Sequence, residues 1–146
     1  MKFTTRDITK EEHTEILDDF RKIEIEYGIL EASPKRLNVT VDEGGKVVGF
    51  ASGLIRHKWF YLSDLWIHEK YRIQGLGAKI LRMLEEDVKK HGIEHMYTWT
   101  TGYNSNEVFY EKQGYRQCLV FEDFFEVKDG HHICLIKDLH QKDTHR

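Results

Sequence analysis

Apolar and polar residues change rhythm several times along the chain, and each change marks an element. Near the start, Ile16, Leu17, Phe20 and Ile23 recur as one helical stripe, and Thr9 or Thr14 stands where its N-cap is expected. The preceding KFTTRDI (2–8) reads as a short strand. Periodicity lapses through EYGILEASPKR, which holds the only proline and reads as a loop or a short helix pair. From Arg36 the pattern is that of strands: RLNVTVD, a turn at 43–45, KVVGFASGLIR, a tight turn, then WFYLSDLWIH, together an antiparallel meander. Leu76, Ile80, Leu81, Leu84 and Val88 return to helical spacing and predict a helix over about 75–90, with His91 and Gly92 as its stop. HMYTWTT (95–101) predicts a strand and 105–113 a helix ended by Gly114. YRQCLVFE and HHICLIKDL predict two last strands joined across an Asp129-Gly130 turn.

The order β, α, β, β, β, α, β, α, β, β defines an α/β fold, a mixed but mainly antiparallel twisted sheet of about seven strands flanked by three or four helices. The helix between WFYLSDLWI and HMYTWTT makes a right-handed crossover between parallel strands. Residues 1–146 are the right length for a single domain, with neither linker nor internal repeat.

Composition narrows the function classes. A formal charge of -3 argues against a nucleic-acid partner, because phosphate neutralisation wants a basic face. No apolar stretch is long enough to span a membrane and the first residues lack the core of a signal peptide, so the expectation is a cytoplasmic protein without a membrane partner. Cys118 and Cys134 sit in apolar runs (CLVF, ICLI) and read as reduced, buried, inert thiols. His131, His132 and His140 form no metal spacing with them, and no metal is expected.

The most informative stretch is 65–79, LWIHEKYRIQGLGAK, where an apolar strand ends, a basic turn follows, and glycines open a helix. The first amides of a helix have no internal partner and the macrodipole adds partial positive charge there, so a diphosphate can be held by backbone alone. Side chains at Gly75 or Gly77 would obstruct it. Two glycines so spaced are by themselves as much a packing or turn feature, and the stretch fits neither the dinucleotide fingerprint nor the Gly-Lys-Ser/Thr phosphate loop.

It does resemble the signature of the GNAT superfamily of N-acetyltransferases: Gln or Arg, two residues, Gly, one residue, then Gly or Ala, matched by Arg72, Gly75 and Gly77. DLWIHEKYR is similar to that family's fourth strand and following loop, and NSNEVFYEKQGYR to the helix and strand after its fifth strand. The resemblance covers practically the whole chain. It implies that strands 62–67 and 96–101 splay apart at their ends and that acetyl-CoA is the acetyl donor. The pantetheine arm of that cofactor would pair with Leu65, Trp66 and Ile67, and its diphosphate would rest on the amides of Arg72, Ile73, Gln74, Gly75, Leu76, Gly77 and Ala78. An N–H near Trp66 or Ile67 would stabilise the oxyanion. Asn104 and Asn106 follow the fifth strand, where the family commonly places an asparagine on the pantetheine; Asn104 lies one residue closer to Tyr110 than the family spacing.

Tyr110 matches the family's tyrosine acid, a phenol that stays protonated at neutral pH and can donate to the departing thiolate. Its alternative is an aromatic packed in the core, the role expected of Phe109. Asp64 interrupts an otherwise apolar strand, where a buried carboxylate needs a partner. It could take the ammonium proton directly or through water, orient a cationic acceptor, or cap a loop. Polyamine acetyltransferases of the superfamily resemble this region but carry Glu-Asp where this chain has Ser63-Asp64. Tyr27, opening the loop 27–35, and Tyr61, on the strand of Asp64, are the candidate acceptor contacts. His57 and His68 flank that strand as proton acceptors or plain turn residues. Neither cysteine has the electropositive setting of a nucleophile, which favours direct transfer in a ternary complex. The acceptor expected is a primary amine of a small molecule, although the residues do not select among the acceptors that the superfamily uses. Acetylation of a protein N-terminus or lysine, and a non-catalytic acyl-CoA sensor, are the competing readings. The apolar final strands offer a surface for a homodimer.

Overall fold

The computed structural model describes residues 1–30 and 34–139, and the chain divides into two compact units, Met1–Ser33 and Pro34–Arg146. The first unit holds one helix, α1 (Lys10–Glu26). Thr9 opens it: its hydroxyl accepts from the Glu12 amide at 3.1 Å, while the Glu12 carboxylate accepts from the Thr9 amide at 2.8 Å. This reciprocal box satisfies amides that the helix cannot satisfy internally. Thr14, the other candidate cap, lies inside the helix and donates to the Lys10 carbonyl. No residue of α1 is buried.

Arg6 reaches the same carboxylate at 2.8 Å, and this guanidinium together with the Thr9 amide holds Glu12 down to about 2. A folded value below the ordinary one means that this support of α1 is present at neutral pH and is lost as pH falls through about 2. Followed by NMR down that range, the amide shifts of Thr9 and Glu12 should titrate with loss of the cap, and Glu12→Gln should abolish the transition.

KFTTRDI departs from expectation, because residues 2–8 form no strand. A strand exists only where a neighbouring ladder takes its amides, and this segment offers just Phe3 and Ile8 as large apolar side chains to anchor one.

The second unit contains β1 (Lys35–Glu43), β2 (Lys46–Arg56), β3 (Trp59–Ile67), a 3-10 turn (Glu69–Tyr71), α2 (Leu76–Lys90), β4 (His95–Thr101), α3 (Asn106–Lys112), β5 (Arg116–Phe121) and β6 (His132–Asp138). The strands make one six-stranded sheet in the order β1-β2-β3-β4-β6-β5, antiparallel except for β3 against β4. The strand missing relative to the expected seven is the one at 2–8. The Asp129-Gly130 turn is present, with Asp129 at φ 56°, but it ends a longer connection over 122–131 instead of forming a tight hairpin.

The stripe predicted for α2 is its buried face. Ile80, Leu81, Leu84 and Val88 pack with Phe60 and Leu62 of β3, Met96 of β4 and Leu135 of β6, all essentially inaccessible. The alternate positions carry aromatic rings on the opposite face: Trp59 stacks on His95, Tyr61 on Tyr97, and Trp99 on His132. A bulge interrupts β3 where Ser52 faces Asp64 while the next residue, Gly53, faces Leu62, leaving Ser63 as the extra residue. The bulge resets the alternation, so Leu65 and Ile67 join Phe60 and Leu62 against the core.

Candidate active site

The site begins where two neighbouring strands part. β3 and β4 pair only from Trp59 with His95 to Leu62 with Thr98. Beyond that point each keeps its outer neighbour, β3 pairing with β2 as far as Ile67 and β4 with β6 as far as Thr101. Their facing edges therefore carry backbone donors and acceptors that no strand of the sheet takes up. The two strands part at their ends, as the resemblance implied, the separation beginning after Leu62 and Thr98.

Three cavities follow one another along this opening. One of about 370 Å³ is lined by Tyr71, Arg72, Ile73, Gly75, Gly77 and Ala78 among others. The next, about 420 Å³, runs along Leu65, Trp66 and Ile67 and reaches Asn104, Asn106 and Tyr110. The third, about 350 Å³, is bounded by Phe50, Asp64, Trp66, Thr98, Trp99 and Tyr110. Arg72 is the charged side chain of the first two and Asp64 that of the third. The opening is thus basic at one end and acidic at the other, with Tyr110 between.

The basic end has the features an anion needs. Gly75 caps α2 in the left-handed region at φ 75° with no side-chain cap bond, and the first bond of the helix runs from the Lys79 amide to the Gly75 carbonyl. The amides of Leu76, Gly77 and Ala78 are accordingly open. Ile73 is also left-handed, at φ 69° and fully exposed, a conformation a β-branched residue adopts at a cost of about 1–3 kcal/mol. Arg72 is tied back by its Nε, which donates to the Ile67 carbonyl at 2.9 Å. At Gly77 an added Cβ would touch only Phe109 and Ile67 at 3.5–3.8 Å, so the fold itself tolerates alanine while a larger side chain must enter the cavity. The residues present therefore fit a diphosphate.

Tyr110 lies on α3, is 8% exposed, and borders both the second and third cavities. Burial pushes its phenol up to about 12, with the Thr98 side chain working in the opposite direction. Such a phenol remains protonated at any physiological pH. It acts as a hydrogen-bond donor first and yields its proton only to a base strengthened by the same dry surroundings. Thr98 is itself fixed by donating to the Leu62 carbonyl at 2.9 Å, at the last paired position of β3.

Asp64 corrects an expectation: it is exposed, not buried, because the bulge at Ser63 turns it out of the alternation that its apolar neighbours suggested. Ser63 donates to its Oδ2 at 2.7 Å. Arg36 donates to the hydroxyls of Ser52 and Ser63 from β1 and makes no ion pair with Asp64 among the described residues. Asn104 is held at 2.8 Å by the Thr101 hydroxyl and lines the second cavity. Tyr61 stacks on Tyr97 and lines none of the three cavities. Tyr27 is the C-cap residue of α1 in the first unit, and part of its loop, 31–33, lies outside the described residues. His57 sits in the β2–β3 turn, and His68 accepts from the Lys70 amide. Cys118 is exposed, contrary to expectation, because it lies on the outer strand β5, all of whose residues are exposed; Cys134 is buried. His140 lies outside the described residues. Phe109, expected in the core, packs against it but also borders the first two cavities.

Sequence reading passed over Thr98, Trp99 and Phe50. Alternation along WFYLSDLWI and HMYTWTT indicates faces, but which residues border an opening depends on where two strands part.

The sequence pattern of the acetyltransferase (GNAT) family matches residues 3–115, and the chain belongs to that family; it is an acetyltransferase by class. Among relatives, the chain is 30% identical over 86 residues to Acetyltransferase Atu2258 of Agrobacterium fabrum, spanning 58% of this chain and 62% of that protein. It is 23% identical to the [ribosomal protein bS18]-alanine N-acetyltransferase of Escherichia coli over 70% of each chain. Its fold superposes on an acetyltransferase from Bacillus cereus with a TM-score of 0.76, at 24% identity over 93% of this chain and 97% of the other.

Proposed function

We propose that the chain, acting as one N-acetyltransferase domain, transfers an acetyl group from acetyl-CoA to a primary amine of a small molecule in a ternary complex. The observation that carries this reading is the opening between β3 and β4, basic beside the free amides of α2, acidic at Asp64, and bordered midway by Tyr110. The amides of Leu76, Gly77 and Ala78 hold the diphosphate, with Arg72 beside them. The free edge of Leu65, Trp66 and Ile67 pairs with the pantetheine amides, as an added strand would. Asn104 lies along the same arm.

At the junction, the neutral amine nitrogen attacks the thioester carbonyl while an N–H near Trp66 or Ile67 receives the growing oxyanion charge. The amine proton leaves to Asp64 or to a water beside it. As the C–S bond breaks, Tyr110 gives its proton to the sulfur and afterwards recovers one by way of the base, so the products are the amide and coenzyme A thiol. Such an enzyme belongs in the cytoplasm. The outer strand β5, with Leu119, Val120 and Phe121 exposed, would serve a homodimer.

A second reading, acetylation of a protein N-terminus, is favoured by the similarity to the ribosomal-protein alanine acetyltransferase. One experiment addresses both. Calorimetry should show coenzyme A binding that Gly77→Phe abolishes without lowering Tm, and thiol release should follow with amines from a small-molecule panel. Release only with peptide amines selects the second reading. Binding without release from any amine leaves a sensor, and no binding removes the assignment.

A further inference from the structure

Behind Tyr110 lies a buried polar network that the transfer chemistry does not use. Glu85 of α2 is 5% exposed and Tyr115, between α3 and β5, is 3% exposed. The Tyr115 hydroxyl donates to Glu85 Oε2 at 2.8 Å, and Lys137 of β6 donates to Glu85 Oε1 at 2.9 Å. Three apolar side chains of similar volume would stabilise such a place at least as well, since desolvating an ion pair offsets much of its attraction. The network's distinctive contribution is therefore directional.

Its bonds point at the end of α3. Lys137 Nζ also donates to the Gln113 carbonyl at 2.7 Å, and Gln113 is the C-cap residue of α3. The Tyr115 amide donates to the Tyr110 carbonyl at 3.0 Å, and the Tyr110 ring meets the Tyr115 ring edge-on, centroids 5.6 Å apart. Among the described residues the opposite end of α3 has no comparable anchor: Ser105 makes no side-chain cap bond, and Tyr110 is the one buried residue of the helix. α2 contributes Glu85 to the clamp and the open amides at its own start to the cofactor's cradle. One rigid helix thereby relates the diphosphate seat to the phenol.

We propose that Glu85, Tyr115 and Lys137 are positioning residues which hold α3 so that the Tyr110 hydroxyl meets the departing sulfur. This rests on Tyr110 being the acid. Loosening the clamp admits water to a phenol that is now dry. The groups around Tyr110 are Tyr115 from the α3–β5 junction, Glu85 and Lys137 behind it, the Thr98 hydroxyl from β4, Arg72 along the second cavity from the turn before α2, and Asp64 across the third cavity from β3. None of these replaces the lost enclosure.

The test uses Glu85→Gln, which keeps an acceptor for Tyr115 but removes the charge facing Lys137, together with Tyr115→Phe. kcat is expressed per coenzyme A site titrated by calorimetry, so that misfolded protein is not counted. Both variants should lose about tenfold in kcat, with KM for acetyl-CoA within about twofold of the parent. Both should also show an alkaline decline in kcat near pH 10, about the value of a hydrated phenol, where the parent is flat. In a Tyr110→Phe background neither change should lower kcat further. A fall in Tm with parental kcat per site and a flat alkaline limb would overturn the positioning role while leaving the acid reading intact. Should Tyr110→Phe itself leave turnover unchanged, the acid assignment fails, and the clamp's role with it.

Discussion

Replacing Tyr110 by phenylalanine should lower kcat by about a hundredfold or more, the share a positioned general acid supplies, while the affinity for coenzyme A stays near that of the parent. The hydroxyl is the only group removed and the ring remains against Phe109 and Tyr115, so Tm should hardly move. The pH profile provides a second check. An acid must be protonated to work, and this phenol is pushed up to about 12, so the parent should show no alkaline decline in kcat below pH of about 11. An early decline in the parent would mean that another group is the donor. Stopped-flow measurement of thiol release separates the chemical step from product release and reads both effects directly.

Gly53→Ala should be the most damaging small change to the fold. A Cβ at this position on β2 would run into the Tyr61 carbonyl oxygen and the Phe60 ring, and neither is the free end of a flexible side chain. Phe60 is fully buried, and Gly53 pairs with Leu62 immediately beside the Ser63 bulge. Relief requires β2 and β3 to separate, at a cost of about 3 kcal/mol or more and a drop in Tm of about 10 °C. Because the same bulge sets where Asp64 and Leu65 point, the variant should also bind coenzyme A more weakly, which calorimetry below its Tm would measure.

Much of this architecture was legible residue by residue. The strands 46–56 and 95–101 appear with the limits their alternation suggested, and α2 with its stop at His91 and Gly92, because a two-residue period and a 3.6-residue stripe each permit only one way of burying the apolar side chains. A threonine cap was readable before the stripe, though the pattern allowed Thr9 or Thr14 and only the structure selected Thr9. The glycine pair at 75 and 77 was readable as the opening of α2, where Gly75 indeed caps it at φ 75°. The failures are equally physical. Residues 2–8 have the composition of an edge strand but no partner to make them one. The neighbours of Asp64 suggest a buried position, yet a single extra residue at Ser63 reverses its face, and a bulge leaves little trace in the pattern of residues. Cys118 is exposed for another reason: an apolar run on an edge strand has the same pattern as one inside the sheet.

Local order, then, was written in the sequence by itself: which segments coil or extend, which face each buries, and that α2 opens on glycine with its first amides free. Only the tertiary structure decided where β3 and β4 separate, that Tyr110 stands between a basic and an acidic chamber, and that Glu85, Tyr115 and Lys137 meet beneath it. The reason lies in range. Periodicity and capping involve residues a few positions apart, whereas the site and its clamp join side chains from α2, α3, β3, β4 and β6, whose distances no local pattern encodes.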